Sequence, residues 1–200
     1  HRLFSSAHII SHTVAAKRLM ILATGLIDLP EKQDWYGKTV LVTGATSQTG
    51  LCVLKHLISQ GAAVLAISRS NAIPFNHEHL RWIQGDLTDA NLDLQGYLVD
   101  AVVHCAPLWT LPASLEKLAD AEVKRLIAFG STSVFGKALS DNAFEKDMVR
   151  KLGWAEEQIA EKCGRYGIHW TLLRPTLTYG VGLDLGITSI AKCIDRYGLF

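Results

Sequence analysis

Gly44, Ser47 and Gly50 lie three apart, directly after the apolar run Thr39-Val40-Leu41-Val42-Thr43, and this arrangement can hold a pyrophosphate. A buried strand that breaks into a glycine-bounded turn and then enters a helix aims backbone N–H groups and the positive helix end at an anion. Gly44 permits the tight turn, and Gly50 lets the following helix pack closely on the sheet. The middle position, where a third glycine would bring the backbone nearest to phosphate, is Ser47. Farther along, Ile67-Ser68-Arg69-Ser70 ends the next apolar segment, about 20 residues after the turn. An acid at that point pairs with a free ribose hydroxyl, whereas a cation accommodates a 2′-phosphate. Ser68 stands in the acid's place and Arg69 follows, so NADP(H) is expected in preference to NAD(H).

These residues must be positioned by alternating strands and helices. The pattern predicts strands at 39–43, 63–68, 80–84, 100–105, 124–130 and 168–173, and helices at 48–60, 112–121 and 142–165. In the first helix Leu51, Leu54 and Ile58 recur at helical spacing, and Gly61 ends it. Val64-Leu65-Ala66-Ile67 and Ala101-Val102-Val103 are continuously apolar, as strands covered by helices on both faces must be. The fold expected is α/β, a doubly wound parallel sheet of the Rossmann type over 38–200. Residues 1–37 are read as a poorly ordered leader.

Further motifs close the later strands: Gly85-Asp86-Leu87-Thr88-Asp89, Val103-His104-Cys105-Ala106-Pro107, Gly130-Ser131-Thr132-Ser133-Val134-Phe135-Gly136 and Leu173-Arg174-Pro175-Thr176-Leu177-Thr178-Tyr179-Gly180. Together, and in this order, they resemble the extended short-chain dehydrogenase/reductase family of NAD-dependent epimerases and dehydratases, over about residues 38–200. The resemblance implies that Gly44, Thr46, Ser47, Gln48, Thr49 and Gly50 frame the pyrophosphate and that Arg69 sits by the adenosine ribose. It implies that Asp86 and Leu87 flank the adenine, that Cys105, Ala106 and Pro107 line the middle of the dinucleotide, and that Pro175 approaches the nicotinamide. Ser131 stands at the family's active-site Ser/Thr. The implied activity is hydride transfer at a hydroxyl or carbonyl carbon of a small molecule, such as a nucleotide sugar. The family's smaller C-terminal substrate domain would come mostly after residue 200, so a truncated cofactor domain is expected. Long helices after the fourth and fifth strands could pair as in family dimers.

The chain departs from that family at its acid/base pair. The family uses a Tyr with a Lys four residues on, on one helix face, so that the cation lowers the phenol's pKa. None of the 5 tyrosines (Tyr36, Tyr97, Tyr166, Tyr179, Tyr197) has such a Lys. Counting back from Glu156 puts the two positions at Met148 and Leu152, within the apolar stripe Phe144, Met148, Leu152, Ile159, Cys163. Lys151 is one residue off, and that slip rotates a helical side chain by about 100°, so it is expected to point away. Two readings follow: an oxidoreductase with a substitute acid/base, or a dinucleotide-binding sensor or structural module without turnover. His104 on a strand end and Ser131 after one also have purely structural uses, as a satisfied imidazole and a turn former.

Composition narrows the partners. A formal charge of +1 with 20% charged residues gives no electrostatic case for nucleic acid, and no apolar run reaches the roughly 20 residues a membrane span needs. Cys52, Cys105, Cys163 and Cys193 are far apart, with no C-x-x-C pair, which fits reduced thiols and a cytoplasmic location. No metal site is expected: His8 and His12 have helical metal spacing but no third ligand. Trp35, Trp82, Trp109, Trp154 and Trp170 are scattered and read as packing.

Overall fold

The computed structural model describes residues 35–70, 74–89, 92, 94, 96–137, 140–180, 182–184 and 186–198. The leader expectation, with His8 and His12, falls outside the described residues as far as residue 34. Six strands form one sheet: β1 (Thr39–Thr43), β2 (Ala63–Ser68), β3 (Leu80–Gln84), β4 (Ala101–His104), β5 (Arg125–Phe129) and β6 (His169–Leu173). Their order is β3-β2-β1-β4-β5-β6, and every neighbouring pair is parallel. This is the doubly wound order, in which the chain reverses direction across the sheet between β1 and β4. The expected fold is therefore the observed one.

Strand alternation builds two cores. Leu41, Leu65, Val102 and Leu126 enter one face, where they meet Leu152, Ala155, Ile159 and Cys163 of the helix Ala143–Tyr166. Val40, Val42, Val64 and Ala66 enter the other, against Leu54 and Leu57 of α1 (Gln48–Ser59). Each fully buried Leu or Ile contributes about 1.5–3 kcal/mol relative to exposure, so both helices are fixed by their apolar stripes. Trp35 packs against the second core.

The segment after β4 departs from expectation. In place of a long helix it makes two 3₁₀ turns, Leu108–Thr110 and Pro112–Ser114, and then the six-residue α2 (Leu115–Asp120). Proline has no N–H and disfavours helix in the residue before it. Pro107 and Pro112 thus confine helix to the stretch after Ser114, and Glu122, with φ 57°, turns the chain out of it. A short α3 (Ser133–Gly136) follows β5, then α4 (Ala143–Tyr166), capped by Asn142 and ended by Gly167 in the left-handed conformation. The last element is α5 (Ile187–Tyr197), none of whose residues is buried. The edge strand β6 is likewise mostly exposed. No helix among the described residues is long and apolar enough to cross a membrane.

Candidate functional site

At the carboxyl ends of β1, β2 and β4, and just beyond β3, the chain encloses a cleft of about 410 Å³. It lies at the point of strand reversal, where open α/β sheets place ligands. Gly44 forms one wall with φ +62°, and a Cβ there would lie 2.5 Å from Ala106 N and 2.6 Å from Cys105 C. The turn and the β4 loop are therefore in backbone contact. A Cβ on Gly50 would lie 2.2 Å from Gly44 O, so the helix start is pressed against the same turn. Both glycines are required by sterics.

Ser47 takes a role of its own. Its Oγ accepts from Gly50 N at 3.0 Å, which makes it the N-cap of α1, and donates to Cys105 O at 3.4 Å. The residue in the third-glycine position thus ties the helix start to the β4 loop. Gln48 and Thr49 head the first turn, where a helix has no backbone acceptors of its own for their N–H groups. They are half-buried and do not line the cleft, whereas Thr46 and Ser47 do.

The opposite wall carries charge. Arg69 and Asp86 both line the cleft, with Arg69 Nε 3.9 Å from Asp86 Oδ2. The guanidinium is 83% exposed, so the pair is loose and Arg69 can exchange it for another anion. Asp86 Oδ1 accepts from Thr88 N at 3.0 Å and Thr88 Oγ1 at 2.8 Å. These bonds, and then the nearby Arg69, hold its carboxyl below the ordinary range. Leu87 lines the cleft from a buried position.

Beneath the cleft lies His104, 1% exposed. Its Nε2 lies 3.3 Å from Pro107 O, a pure acceptor, so Nε2 carries the proton. Nδ1 then accepts from Thr43 Oγ1 at 2.7 Å. Burial brings the pKa down to about 4, keeping the ring neutral. It is the satisfied imidazole its position suggests, and it fastens the β4 loop to β1. Pro107 O also accepts from Thr110 Oγ1 at 2.8 Å and Thr110 N at 2.9 Å. Cys105 lines the same wall, its thiol pushed up to about 12 by burial and so unreactive near neutrality.

Ser131 and Pro175 do not line this cleft. Thr132 N and Oγ1 donate to Pro175 O at 3.2 and 3.4 Å, which joins the ends of β5 and β6. Ser131 Oγ accepts from Ser133 N at 3.1 Å and donates to Ser133 Oγ at 3.0 Å. That is a local turn, the structural use open to a serine at this place. On α4, Leu152 is 4% exposed within the core and Met148 packs half-buried against it. Arg174 forms a two-pronged pair with Glu156, at 2.9 and 2.6 Å. Lys151 Nζ lies 5.9 Å from the centre of the Trp109 ring and 2.6 Å from Asp147 Oδ2. α4 packs on the 3₁₀ turn, which sets this ammonium beside Trp109, while Lys151 itself does not line the cleft.

Trp109 and Thr110 line the cleft, so Trp109 is more than packing. Their roles depend on the reversal at Pro107, which brings residues after the β4 motif back over the strand ends. The usable signal is the Pro107/Thr110 spacing, which suits a proline-started turn closed by a hydroxyl.

A parallel sheet in this order, with a ligand cleft at its reversal point and a steric glycine turn, defines a Rossmann nucleotide-binding domain. The sequence profile of the NAD dependent epimerase/dehydratase family matches residues 40–196, and the chain belongs to that family. It is 38% identical over 85 residues to dTDP-4-dehydro-6-deoxy-D-allose reductase of Streptomyces bikiniensis, a match covering 37% of this chain and 26% of the reductase. It is 30% identical over 105 residues to a short-chain dehydrogenase of Penicillium roqueforti, covering 47% of this chain and 41% of that protein. The chain thus spans less than half the length of these relatives. Among solved structures, the Bordetella bronchiseptica enzyme WbmH in complex with NAD+ superposes with TM-score 0.63 at 20% identity, over 80% of this chain and 63% of WbmH. UDP-glucose 4-epimerase of Thermotoga maritima, with UDP-glucose, superposes with TM-score 0.64 at 17% identity, over 79% and 63%. These likenesses show the fold.

Proposed function

We propose that this chain is the cofactor-binding part of an epimerase/dehydratase-type oxidoreductase, cytoplasmic, that takes NADP(H) in preference to NAD(H). The carrying observation is the steric turn, where neither Gly44 nor Gly50 has room for a Cβ. Such closeness of turn, helix start and β4 loop suits a backbone cradle for a pyrophosphate. Gly44, Thr46, Ser47, Gln48, Thr49 and Gly50 would form the cradle, and Cys105, Ala106 and Pro107 would form the facing wall. Asp86 and Leu87 would receive the adenine, and Arg69 a 2′-phosphate. When bound, the nicotinamide supplies the hydride acceptor or donor. Ser131, with Pro175 beside Thr132, would face the reacting carbon, its hydroxyl released from Ser133 to orient a substrate oxygen. The names of the relatives support a nucleotide sugar as substrate.

A second reading has its own observation: Met148 and Leu152 are apolar and packed, so α4 offers no phenol and ammonium at the positions the chemistry uses. On that reading the chain binds the dinucleotide and passes on a binding signal without turnover. A homodimer fits either reading. Its interface would be the outer face of α4, where Trp154 is 49% exposed, because no long helix follows β4 to share in it.

Paired titrations with NADPH and NADH, followed by tryptophan quenching at fixed salt, test the cofactor assignment. At least tenfold tighter binding of NADPH, about 1.4 kcal/mol, is expected. Equal affinity removes Arg69 from the site, and no binding of either by folded protein overturns the proposal.

A further inference from the structure

We infer that the molecule carries a second small-molecule site, at the amino ends of β1, β2 and β3, and that it takes an apolar monocarboxylate on Arg81. The site does not draw on the cofactor reading. It includes Ala63, Val64 and Leu65 at one end of β2, whereas the cleft includes Ile67, Ser68 and Arg69 at the other, so both can be filled together. The groove measures about 480 Å³, within the roughly 300–1,000 Å³ usual for ligand sites.

Arg81 supplies the anchor. It stands beside Leu65 in the parallel register of β2 and β3, and both line the groove together with Tyr97. Its Cζ lies 5.1 Å from the centre of the Tyr97 ring, a contact that steadies a guanidinium without using its N–H groups. Among the described residues no hydrogen bond or ion pair engages those groups, and the residue is exposed. A guanidinium so placed presents the fork that a carboxylate meets with two parallel hydrogen bonds.

The rest of the groove selects among anions. Val64 and Leu65 line it from the buried core and so form an apolar floor. Leu98 lines it while 90% exposed, and an apolar body lying over that side chain removes surface from water at about 25 cal/mol per Å². Glu78 lines the same groove, with its side chain 82% exposed and Oε1 3.9 Å from His79 Nε2. Its repulsion grows with the charge of the ligand, so one carboxylate is favoured over a phosphate dianion or a dicarboxylate. The chemistry that fits is therefore a single negative charge on a flat or branched hydrocarbon.

The test is a calorimetric titration of the unmodified chain, at fixed salt, with 2-naphthoate, its neutral amide and 2-naphthyl phosphate. The carboxylate is expected to bind at least tenfold tighter than either of the others. Arg81→Met should weaken 2-naphthoate about tenfold, about 1.4 kcal/mol, and Arg69→Met, at the other end of β2, should leave it unchanged. Leu98→Asp, which adds a second acid at an exposed position, should weaken it to a similar extent. If Arg81→Met lowers the urea midpoint, Leu98→Asp alone decides. Failure of the folded chain to bind 2-naphthoate overturns the inference, as does equal affinity for the amide. Unchanged binding in both Arg81→Met and Leu98→Asp also overturns it, and loss in Arg69→Met alone would put the ligand in the cofactor cleft instead. None of these outcomes decides the cofactor reading, which rests on the NADPH titration.

Discussion

The two halves of the sheet end differently at their carboxyl edges. Between β1 and β4 the turn is closed by contacts that tolerate little change: Gly44 against Ala106 N, Gly50 against Gly44 O, Ser47 bridging the helix start and Cys105 O, and His104 pinning Pro107 to Thr43. Between β5 and α4 the groups that could do chemistry are committed elsewhere. Ser131 bonds within its own turn, Met148 and Leu152 belong to the core, and Glu156 is occupied by Arg174. On the proposed function, holding a dinucleotide and turning over a substrate would thus be encoded separately. The first rests on backbone closeness and small residues, the second on a few long side chains that can be replaced by packing without loss of fold.

The largest test of the first half is Gly44→Ala. The new methyl would need a left-handed backbone and would strike main-chain atoms that cannot swing aside. A loss of about 4 kcal/mol is expected, read as a fall in the urea midpoint, together with loss of NADPH binding. A loss under about 1 kcal/mol would show that the turn yields and would erase the contrast between the halves.

On the second half the matching change is Leu152→Lys, which would restore the family's cation in the core. An ammonium without a partner in that place is expected to cost about 3 kcal/mol. Met148→Tyr, at a half-buried site, should cost about 1 kcal/mol. If instead Leu152→Lys unfolds at the parent's urea midpoint, position 152 opens to the cleft and the α4 region is a dormant active site.

Acid unfolding sharpens the comparison further, because His104 belongs to the first half alone. Its unfolded pKa is 6.5 and its folded value about 4. Between those values the unfolded chain binds more protons, so stability is complete above 6.5 and is lost as pH falls toward 4. The loss across that window is about 3 kcal/mol. Asp86 and Asp100 are held below their ordinary value of 3.8, so the stability they add is present throughout this window and is lost only at lower pH. His104→Asn, whose amide oxygen can still accept from Thr43, should flatten urea midpoints measured between pH 7 and 4.5. An unchanged slope would show that another group controls the acid limb.

The cradle half was far more legible in the sequence than the rest, for reasons visible in particular residues. Val40 to Val42 and Val64 to Ile67 are buried on both faces, so their apolar runs state both strand and sheet position. Gly44 and Gly50 are legible because no other residue satisfies their geometry. Met148 and Leu152 were readable because the helical period fixes their face. By contrast, the break-up of the segment after β4 depends on two prolines acting together with an exposed turn at Glu122. Trp109 reaches the cleft only through that folding back. The cap formed by Ser47 was hidden for a different reason: a serine there reads first as a missing glycine, and its bond to Cys105 O crosses between strands that are remote in sequence.

The smallest effect bears on what α4 is for. Gly164 lies inside that helix, exposed, with nothing within 4 Å of a built Cβ. Alanine there removes backbone freedom from the unfolded chain and touches nothing in the folded one, so about 0.5–1 kcal/mol of added stability is expected. The same substitution is thus expected to destabilise at Gly44 and stabilise at Gly164, because one glycine is held by geometry and the other is not. If Gly164→Ala instead lowers the urea midpoint, the outer face of α4 meets something in solution. Repeating the measurement across protein concentrations would then separate the homodimer proposed for that face from a property of the single chain, since only a dimer makes the midpoint rise with concentration.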